Sequence, residues 1–288
     1  LCFVSTRAPR SDCAMSPYVS SATDDIRMSR KVVFAPGRLR ASVCTIVLAW
    51  QVFEDAPIAF AANRDELLDR PSEPPERRQW AAEVVAPADA EAEGTWEGYN
   101  EHGLLVALTN RWVDADLAGE RSRGLLVRDC LSHESAEDAA RAVENAVREA
   151  EYAGFNLLLA DETAAVLLEW DGQLAVRNFQ PGVHVVVNVG ADGDFQIPEP
   201  RADAGRQQAE NAAAVRTALQ PEPGERAGAW IERASDVISD HEYGVCVHED
   251  RFGTRSSSLL TIGPEGSHHR FADGPPCETE YRRVESQI

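Results

Sequence analysis

The sequence predicts an α+β protein in which two antiparallel sheets pack together with helices outside. Two observations predict it. Strand-length apolar runs punctuated by turn residues recur along the chain, and pairs of segments with apolar residues at helical spacing alternate with them. No repeat or low-complexity tract interrupts this alternation. The pattern sets the element types and leaves the number of layers open.

The first two strands are residues 44–50 and 58–66, joined by the polar turn Glu54-Asp55-Ala56-Pro57. Paired antiparallel, they bring Cys44 beside Asn63, Arg64 and Asp65, about twenty positions away in sequence. A thiol is thereby set next to a guanidinium and a carboxylate. Residues 70–75, Arg-Pro-Ser-Glu-Pro-Pro, are expected to form an irregular surface loop near this group, because proline removes backbone donors. Residues 96–99 and 104–108 read as strands around the turn Asn100-Glu101-His102-Gly103. Residues 124–131 and 135–150 read as helices, the second with Ser135 as N-cap and acids in its first turn. Four short β-like runs follow at 155–160, 164–170, 174–178 and 183–189, separated by Asp-Glu, Asp-Gly and Pro-Gly turns. A second helical pair, 202–219 and 229–238, is divided by Pro221-Glu222-Pro223-Gly224, and 259–262 and 269–272 close the chain as strands.

Charge narrows the function classes. The chain carries −20 at pH 7, but residues 1–43 hold seven basic and three acidic residues, a net +4, so residues 44–288 carry −24. Lys31 is the only lysine. An acidic excess this large, with arginine as nearly the only cation, resembles proteins of a salt-rich cytoplasm and predicts a halophilic one. Such a surface repels a polyanion, which excludes nucleic acid as a partner. No apolar run approaches the roughly 18 residues needed to cross a bilayer. Cys130, Cys246 and Cys277 lie far apart without Cys-x-x-Cys spacing, as expected of reduced thiols in a cytoplasmic protein. No phosphate-cradling glycine motif follows a strand, and no cofactor is expected. Residues 44–288 suit a single domain.

Several stretches share one resemblance. Asn63-Arg64-Asp65-Glu66, Gly94-Thr95-Trp96-Glu97-Gly98-Tyr99-Asn100, Leu108-Thr109-Asn110, Ser122-Arg123-Gly124, Gly154-Phe155-Asn156-Leu157-Leu158-Leu159 and Phe252-Gly253-Thr254-Arg255-Ser256-Ser257-Ser258 resemble, in order, the NRDE family. That family includes the transport and Golgi organisation protein 2 homologues. The resemblance implies a fold similar to that of the N-terminal nucleophile hydrolases, a four-layer αββα sandwich of two antiparallel sheets flanked by helix pairs. Members normally begin Met-Cys, which makes Cys44 the counterpart of their N-terminal thiol. Residues 1–43 are then a leader, expected to reflect a mis-called translation start: a GTG codon at Val43 initiates as methionine, and its removal exposes Cys44. A basic, Ser-rich targeting peptide and a propeptide cut to free Cys44 are the alternatives.

On this resemblance Cys44 is a nucleophile whose own α-amine, with a reference pKa of about 8, takes the thiol proton. Arg64 lowers the thiol pKa by proximity and Asp65 holds the amine, much as choloylglycine-type hydrolases carry an arginine and an aspartate at similar distance from their cysteine. Without the resemblance, Cys44 reads as a buried strand cysteine and Arg64 with Asp65 as a surface ion pair. Asn188 stands where the family has Ser-Asn, though Asn188-Val189-Gly190 lacks the serine; its amide donates to an oxyanion or simply forms a turn. Arg255 matches the family and binds a substrate carboxylate, pairs with a site acid, or belongs to a Gly-Thr-Arg turn. Asn63, Trp96 and Asn110 are expected to line the substrate pocket, the last two alternatively capping and filling it.

His241, Cys246, His248, His268, His269 and Cys277 crowd the end of the chain, but their spacing matches no zinc pattern. The expectation is surface histidines on polar loops and no metal. Two function classes follow. One is a cysteine amidohydrolase that cleaves a linear non-peptide amide through an acyl-enzyme. The other is a non-catalytic carrier for lipid, haem or another cofactor on the same scaffold. Either takes a small-molecule partner, and neither sets an oligomeric state.

Overall fold

Strand β1 (Thr45–Trp50) is buried at every position, the signature of a strand covered on both faces and lacking a solvent side. The computed structural model describes residues 44–114, 117, 119–285 and 287–288, so the leader expected over residues 1–43 lies outside the described residues. β1 pairs antiparallel with β2 (Ile58–Leu67), Thr45 opposite Asn63 and Trp50 opposite Ile58, as the two apolar runs and their polar turn predict. On its other side it pairs with β10 (Gly182–Val187).

The first sheet continues outward from β10 through β11 (Gly190–Ala191) to β12 (Asp194–Phe195), and from β2 through β13 (Phe252–Gly263) and β14 (Gly266–Ala272) to β15 (Arg282–Arg283). The second sheet is a meander of β3 (Ser72–Gln79), β4 (Glu83–Asp89), β5 (Glu97–Asn100), β6 (Leu105–Asn110), β7 (Phe155–Ala160), β8 (Ala165–Trp170) and β9 (Leu174–Asn178). Every pairing in both sheets is antiparallel.

The two-residue period of the strands sorts their side chains into three apolar layers. Ile46, Leu48, Phe60 and Ala62 face Tyr99, Leu105, Leu158 and Leu167 between the sheets. Val47, Ala49, Ala59 and Ala61 turn the other way, onto Val215 of α3 (Ala202–Ala218) and Trp230, Ile231 and Ala234 of α4 (Ala227–Ser239). Val84, Val106, Leu157 and Leu159 of the second sheet pack on α1 (Arg123–Cys130) and α2 (Ala136–Glu149) through Leu126, Val127, Ala139 and Val143. The result is the four-layer αββα sandwich. Ser135 caps α2, its hydroxyl accepting from Asp138 N, and Asp161 Oδ2 accepts from Ala136 N at 2.7 Å to fasten that helix to the loop after β7.

Residues 70–75 correct the sequence expectation. They enter β3 and are not an irregular loop: β3 is the outer strand of its sheet, and a register shift between Glu73 and Glu76 carries Pro74 and Pro75 past the ladder. An edge position and a bulge are the two places where a strand tolerates a missing N–H. β13 likewise begins earlier than expected, so Gly253 to Ser258 lie within a strand, with a register shift between Thr254 and Ser256.

Candidate active site

The site forms at the end of the sandwich where β1 begins and β2, β6 and β10 end. Cys44 precedes the first paired residue of β1, and its thiol donates to the backbone oxygen of Asp65 at 3.8 Å. Its backbone N–H donates to Oδ1 of Asn188 at 3.0 Å. Asn188, which follows β10, is fully buried. Its Nδ2 donates to the carbonyl of Asn110 at 2.6 Å, and its Oδ1 also accepts from Nε2 of Gln208 on α3 at 3.0 Å. One amide thus joins both sheets and a helix to the Cys44 nitrogen. Beside it, Asn156 Nδ2 donates to the carbonyl of Val187 at 2.8 Å, a second bond between the sheets. Asn188 therefore offers Cys44 its acceptor, and the atom expected to serve an oxyanion is engaged by Asn110.

Arg64 follows Ala62 on the strand face that looks between the sheets. Its guanidinium lies 4.0 Å over the ring centroid of Trp96, Nη2 is 3.9 Å from Glu66 Oε2, and buried Nη1 has no hydrogen-bond partner among the described residues. A second guanidinium joins it. Arg123 opens α1, donates from Nη1 to Gly154 O at 2.7 Å, and like Arg64 lies within electrostatic reach of Cys44. Burial pushes both guanidinium pKa values down, while Cys44 and Glu66 act to raise them. Both arginines stay charged.

Glycine explains how these parts meet. A Cβ on Gly94 would stand 2.3 Å from the carbonyl carbon of Gly124, and Thr95 N donates to Gly124 O at 3.1 Å. The chain leading to Trp96 and the start of α1 touch backbone to backbone, which only glycine permits at this separation.

The remaining expected residues separate. Asp65 is fully buried and its Oδ1 accepts from Thr254 Oγ1 at 2.5 Å; burial raises its carboxyl pKa well above the usual range, opposed by that bond and by Arg64. Asn63, expected to line the substrate pocket, has its side chain engaged within the protein. The alternation of β2 turns it onto the helix layer, where Nδ2 donates to Ile238 O at 2.9 Å and Val245 O at 2.8 Å and Oδ1 accepts from Ser257 at 2.6 Å. Arg255 sits at the β13 register shift and is ion-paired with Asp273, so its guanidinium is committed to a carboxylate of the protein. Asn110 contributes its backbone carbonyl, and Trp96 contributes its ring as the platform under Arg64. Clefts of about 380 and 590 Å³ open elsewhere, the first beside Arg216 and Phe195, the second beside Trp112 and Gln173.

Sequence reasoning gave no role to Arg123, Gln208 or Glu97. Gln208 was detectable: it lies on the α3 stripe formed by Gly205, Ala212 and Val215, and a polar residue on a buried helical face implies a polar partner. Glu97, buried between the sheets, bonds to Ser258, and His269 Nε2 lies 3.5 Å from the same hydroxyl. The histidines and cysteines near the end of the chain fall into two groups. His241, Cys246, His248 and Cys277 converge, with one ligand atom of each within 4.8 Å of the others, whereas His268 and His269 belong to β14. No helix among the described residues is long and apolar enough to cross a membrane.

In fold this αββα architecture is similar to that of the N-terminal nucleophile hydrolases. Penicillin V acylase from Agrobacterium tumefaciens superposes with a TM-score of 0.51 over 80% of this chain and 83% of its own, at 14% identity, a likeness of fold alone. The chain itself belongs to the Transport and Golgi organisation 2 family, whose model matches residues 43–273. Among its relatives, the Transport and Golgi organization 2 homolog of Mus musculus is 34% identical over 108 residues, 36% of this chain and 38% of the mouse protein. The Bos taurus homolog is 26% identical over 240 residues, 75% of this chain and 85% of its own. The match thus spans well under two thirds of the mouse relative and most of the bovine one.

Proposed function

We propose that the protein is a cysteine amidohydrolase that cleaves a linear non-peptide amide through an acyl-enzyme on Cys44. The observation that supports this reading is the setting of Cys44: a thiol at a strand entry, within electrostatic reach of the buried Arg64 and the half-buried Arg123, with its nitrogen held by a fixed amide acceptor. The reading takes the active chain to begin at Cys44. Its free α-amine then accepts the thiol proton, and Asn188 Oδ1 orients that amine while Arg64 and Arg123 favour the thiolate. The Sγ anion attacks the amide carbon, forming a C–S bond and a tetrahedral oxyanion. Collapse breaks the C–N bond, and the protonated amine of Cys44 gives its proton to the leaving nitrogen. Water then cleaves the thioester, releasing the carboxylic acid and restoring the thiol. Asp65 fixes the strand end that carries Arg64. The partner on this reading is a small molecule in the cytoplasm, consistent with an acidic chain of net charge −20.

The test is a chain beginning at Cys44 and its Cys44→Ala variant, incubated at high salt with a panel of N-acyl amides and followed by intact mass and peptide mapping. An acyl adduct on Cys44, with turnover abolished in an equally folded Cys44→Ala, supports the reading. No adduct and no turnover across broad acyl chemistry overturns it in favour of a non-catalytic carrier.

A further inference from the structure

Three separate segments deliver one cluster of soft ligands. His241 lies on a short 3₁₀ turn after α4, Cys246 and His248 flank Val247 on the chain entering β13, and Cys277 lies on the turn after β14. His248 Nε2 is 3.0 Å from Cys277 Sγ, Cys246 Sγ is 3.6 Å from His248 Nε2, and the two sulfurs are 3.6 Å apart. The imidazoles of His241 and His248 converge edge to face, 5.1 Å between centroids at 85°. Around a tetrahedral zinc, with bonds of about 2.3 Å to sulfur and about 2.0 Å to nitrogen, donor atoms stand about 3.3–3.8 Å from one another. A disulfide between Cys246 and Cys277 would need about 2.0 Å and would leave the convergence of the imidazoles unexplained.

The backbone is built to hold this arrangement. Gly244 takes φ 65°, its N–H donates to His241 O at 3.1 Å, and a Cβ there would meet Asn211 Nδ2 at 2.4 Å. That left-handed turn reverses the chain between His241 and Cys246. Val245 O is gripped by Asn63 Nδ2. Val247 is clamped on both sides by Thr254, through Val247 N to Thr254 Oγ1 at 2.9 Å and Thr254 N to Val247 O at 2.9 Å. The turn carrying Cys277 is closed by Glu278 N and Thr279 N, both donating to Pro275 O.

We propose that His241, Cys246, His248 and Cys277 form a structural binding site for a divalent zinc ion. Two thiolates and two neutral imidazoles give a neutral complex with zinc, so the cluster closes without leaving net charge partly buried. The donor set has no carboxylate, which disfavours magnesium and calcium. All four tetrahedral positions are filled by the protein, which leaves none for substrate or water. The ion's work is to staple the loop between α4 and β13 to the segment after β14. That loop holds Thr254 against Asp65 and Val245 against Asn63, so the staple braces the strand end that carries Arg64 from behind.

The test is metal content and ligation of the full chain purified without chelator. Elemental analysis is expected to find one zinc per chain after dialysis. Replacement by cobalt(II) is expected to give the intense visible d–d bands of tetrahedral cobalt with thiolate charge transfer, and chelation to lower Tm reversibly. In Cys246→Ser/Cys277→Ser zinc and the charge-transfer bands disappear; in His241→Ala, which alters an exposed side chain and keeps the fold, zinc retention falls at least about tenfold. A folded wild-type chain that retains no more zinc than the double variant and shows no thiolate–cobalt bands overturns the proposal. So does a Cys246–Cys277 disulfide in the chain as isolated.

Discussion

The backbone N–H of Cys44 and the side-chain oxygen of Asn188 are 3.0 Å apart, and that oxygen is shared with Gln208 Nε2 while the other end of the amide holds Asn110 O. A fully buried amide in this position cannot turn without breaking a network, so it fixes the first residue of β1 against both sheets. Asn188→Ala leaves three groups without their partner, the buried Gln208 Nε2 and the half-buried Cys44 N and Asn110 O. The expected cost is about 2–4 kcal/mol of unfolding free energy, read by urea denaturation, together with slower alkylation of Cys44. Unchanged stability would show that the bonds do not hold the site.

Arg64 and Arg123 predict which thiol reacts. Limited iodoacetamide labelling is expected to modify Cys44 before Cys130, Cys246 and Cys277, since burial raises the pKa of the Cys130 thiol and the proposed zinc ion occupies the other two sulfurs. Arg64→Gln and Arg123→Gln should each slow Cys44 labelling about threefold to tenfold, by removing a nearby positive charge. Arg64→Lys should recover only part of that rate, because an ammonium does not stack on Trp96 as a guanidinium does. Faster alkylation of Cys130, Cys246 or Cys277 would put the reactive centre elsewhere.

The fold was largely legible because strand and helix periods are local. The pairing of residues 44–50 with 58–66, the Ser135 cap and the helices flanking Pro221 all follow from neighbours in sequence. β3 was not legible, since adjacent prolines argue against a strand until the edge and its bulge are known. Within the site, the period of two already assigns Arg64 and Asp65 to opposite faces. Grouping Asn63, Arg64 and Asp65 as one cluster overlooked it, and Asn63 proved to serve the helix layer. Arg123 comes within electrostatic reach of Cys44 from a helix whose start is packed against Gly94 through Gly124, a contact between distant segments that no local pattern announces. The convergence of His241, Cys246, His248 and Cys277 is of the same kind: three turns must be placed before the ligands meet.

Asp65→Asn separates stability from activity. Burial raises the folded-state pKa of this carboxyl well above its unfolded value, so its favourable contribution is fully present below the unfolded pKa and is lost as pH rises through the folded one. An amide of the same shape carries no such loss. The variant is expected to match or exceed wild-type Tm at pH 8, by thermal melting monitored with circular dichroism, while its rate of acyl transfer falls. Full activity in a folded Asp65→Asn chain would remove this residue from the mechanism.

Glu97 and His269 share the hydroxyl of Ser258, and burial moves their pKa values in opposite directions, to about 7 for Glu97 and about 3 for His269. The Glu97 carboxyl gains protons on folding between its unfolded value of 4.5 and about 7, so it stabilises the fold fully below pH 4.5 and loses that contribution as pH rises to about 7. The loss amounts to about 3 kcal/mol. His269 has the opposite sign: its neutral ring is favoured in the folded chain, so its contribution is present above 6.5 and lost as pH falls toward about 3. Between pH 4.5 and 6.5 the two slopes oppose each other, and removing one exposes the other. Urea unfolding of wild type and Glu97→Gln from pH 4.5 to 8 should show the difference, wild type minus variant, falling by about 3 kcal/mol up to pH 7 and then levelling. For His269→Gln, the difference should rise with pH up to 6.5. Parallel curves for wild type and both variants would mean that neither group changes its protonation on folding, and the buried Glu97–Ser258–His269 chain would then have no part in the pH dependence of stability.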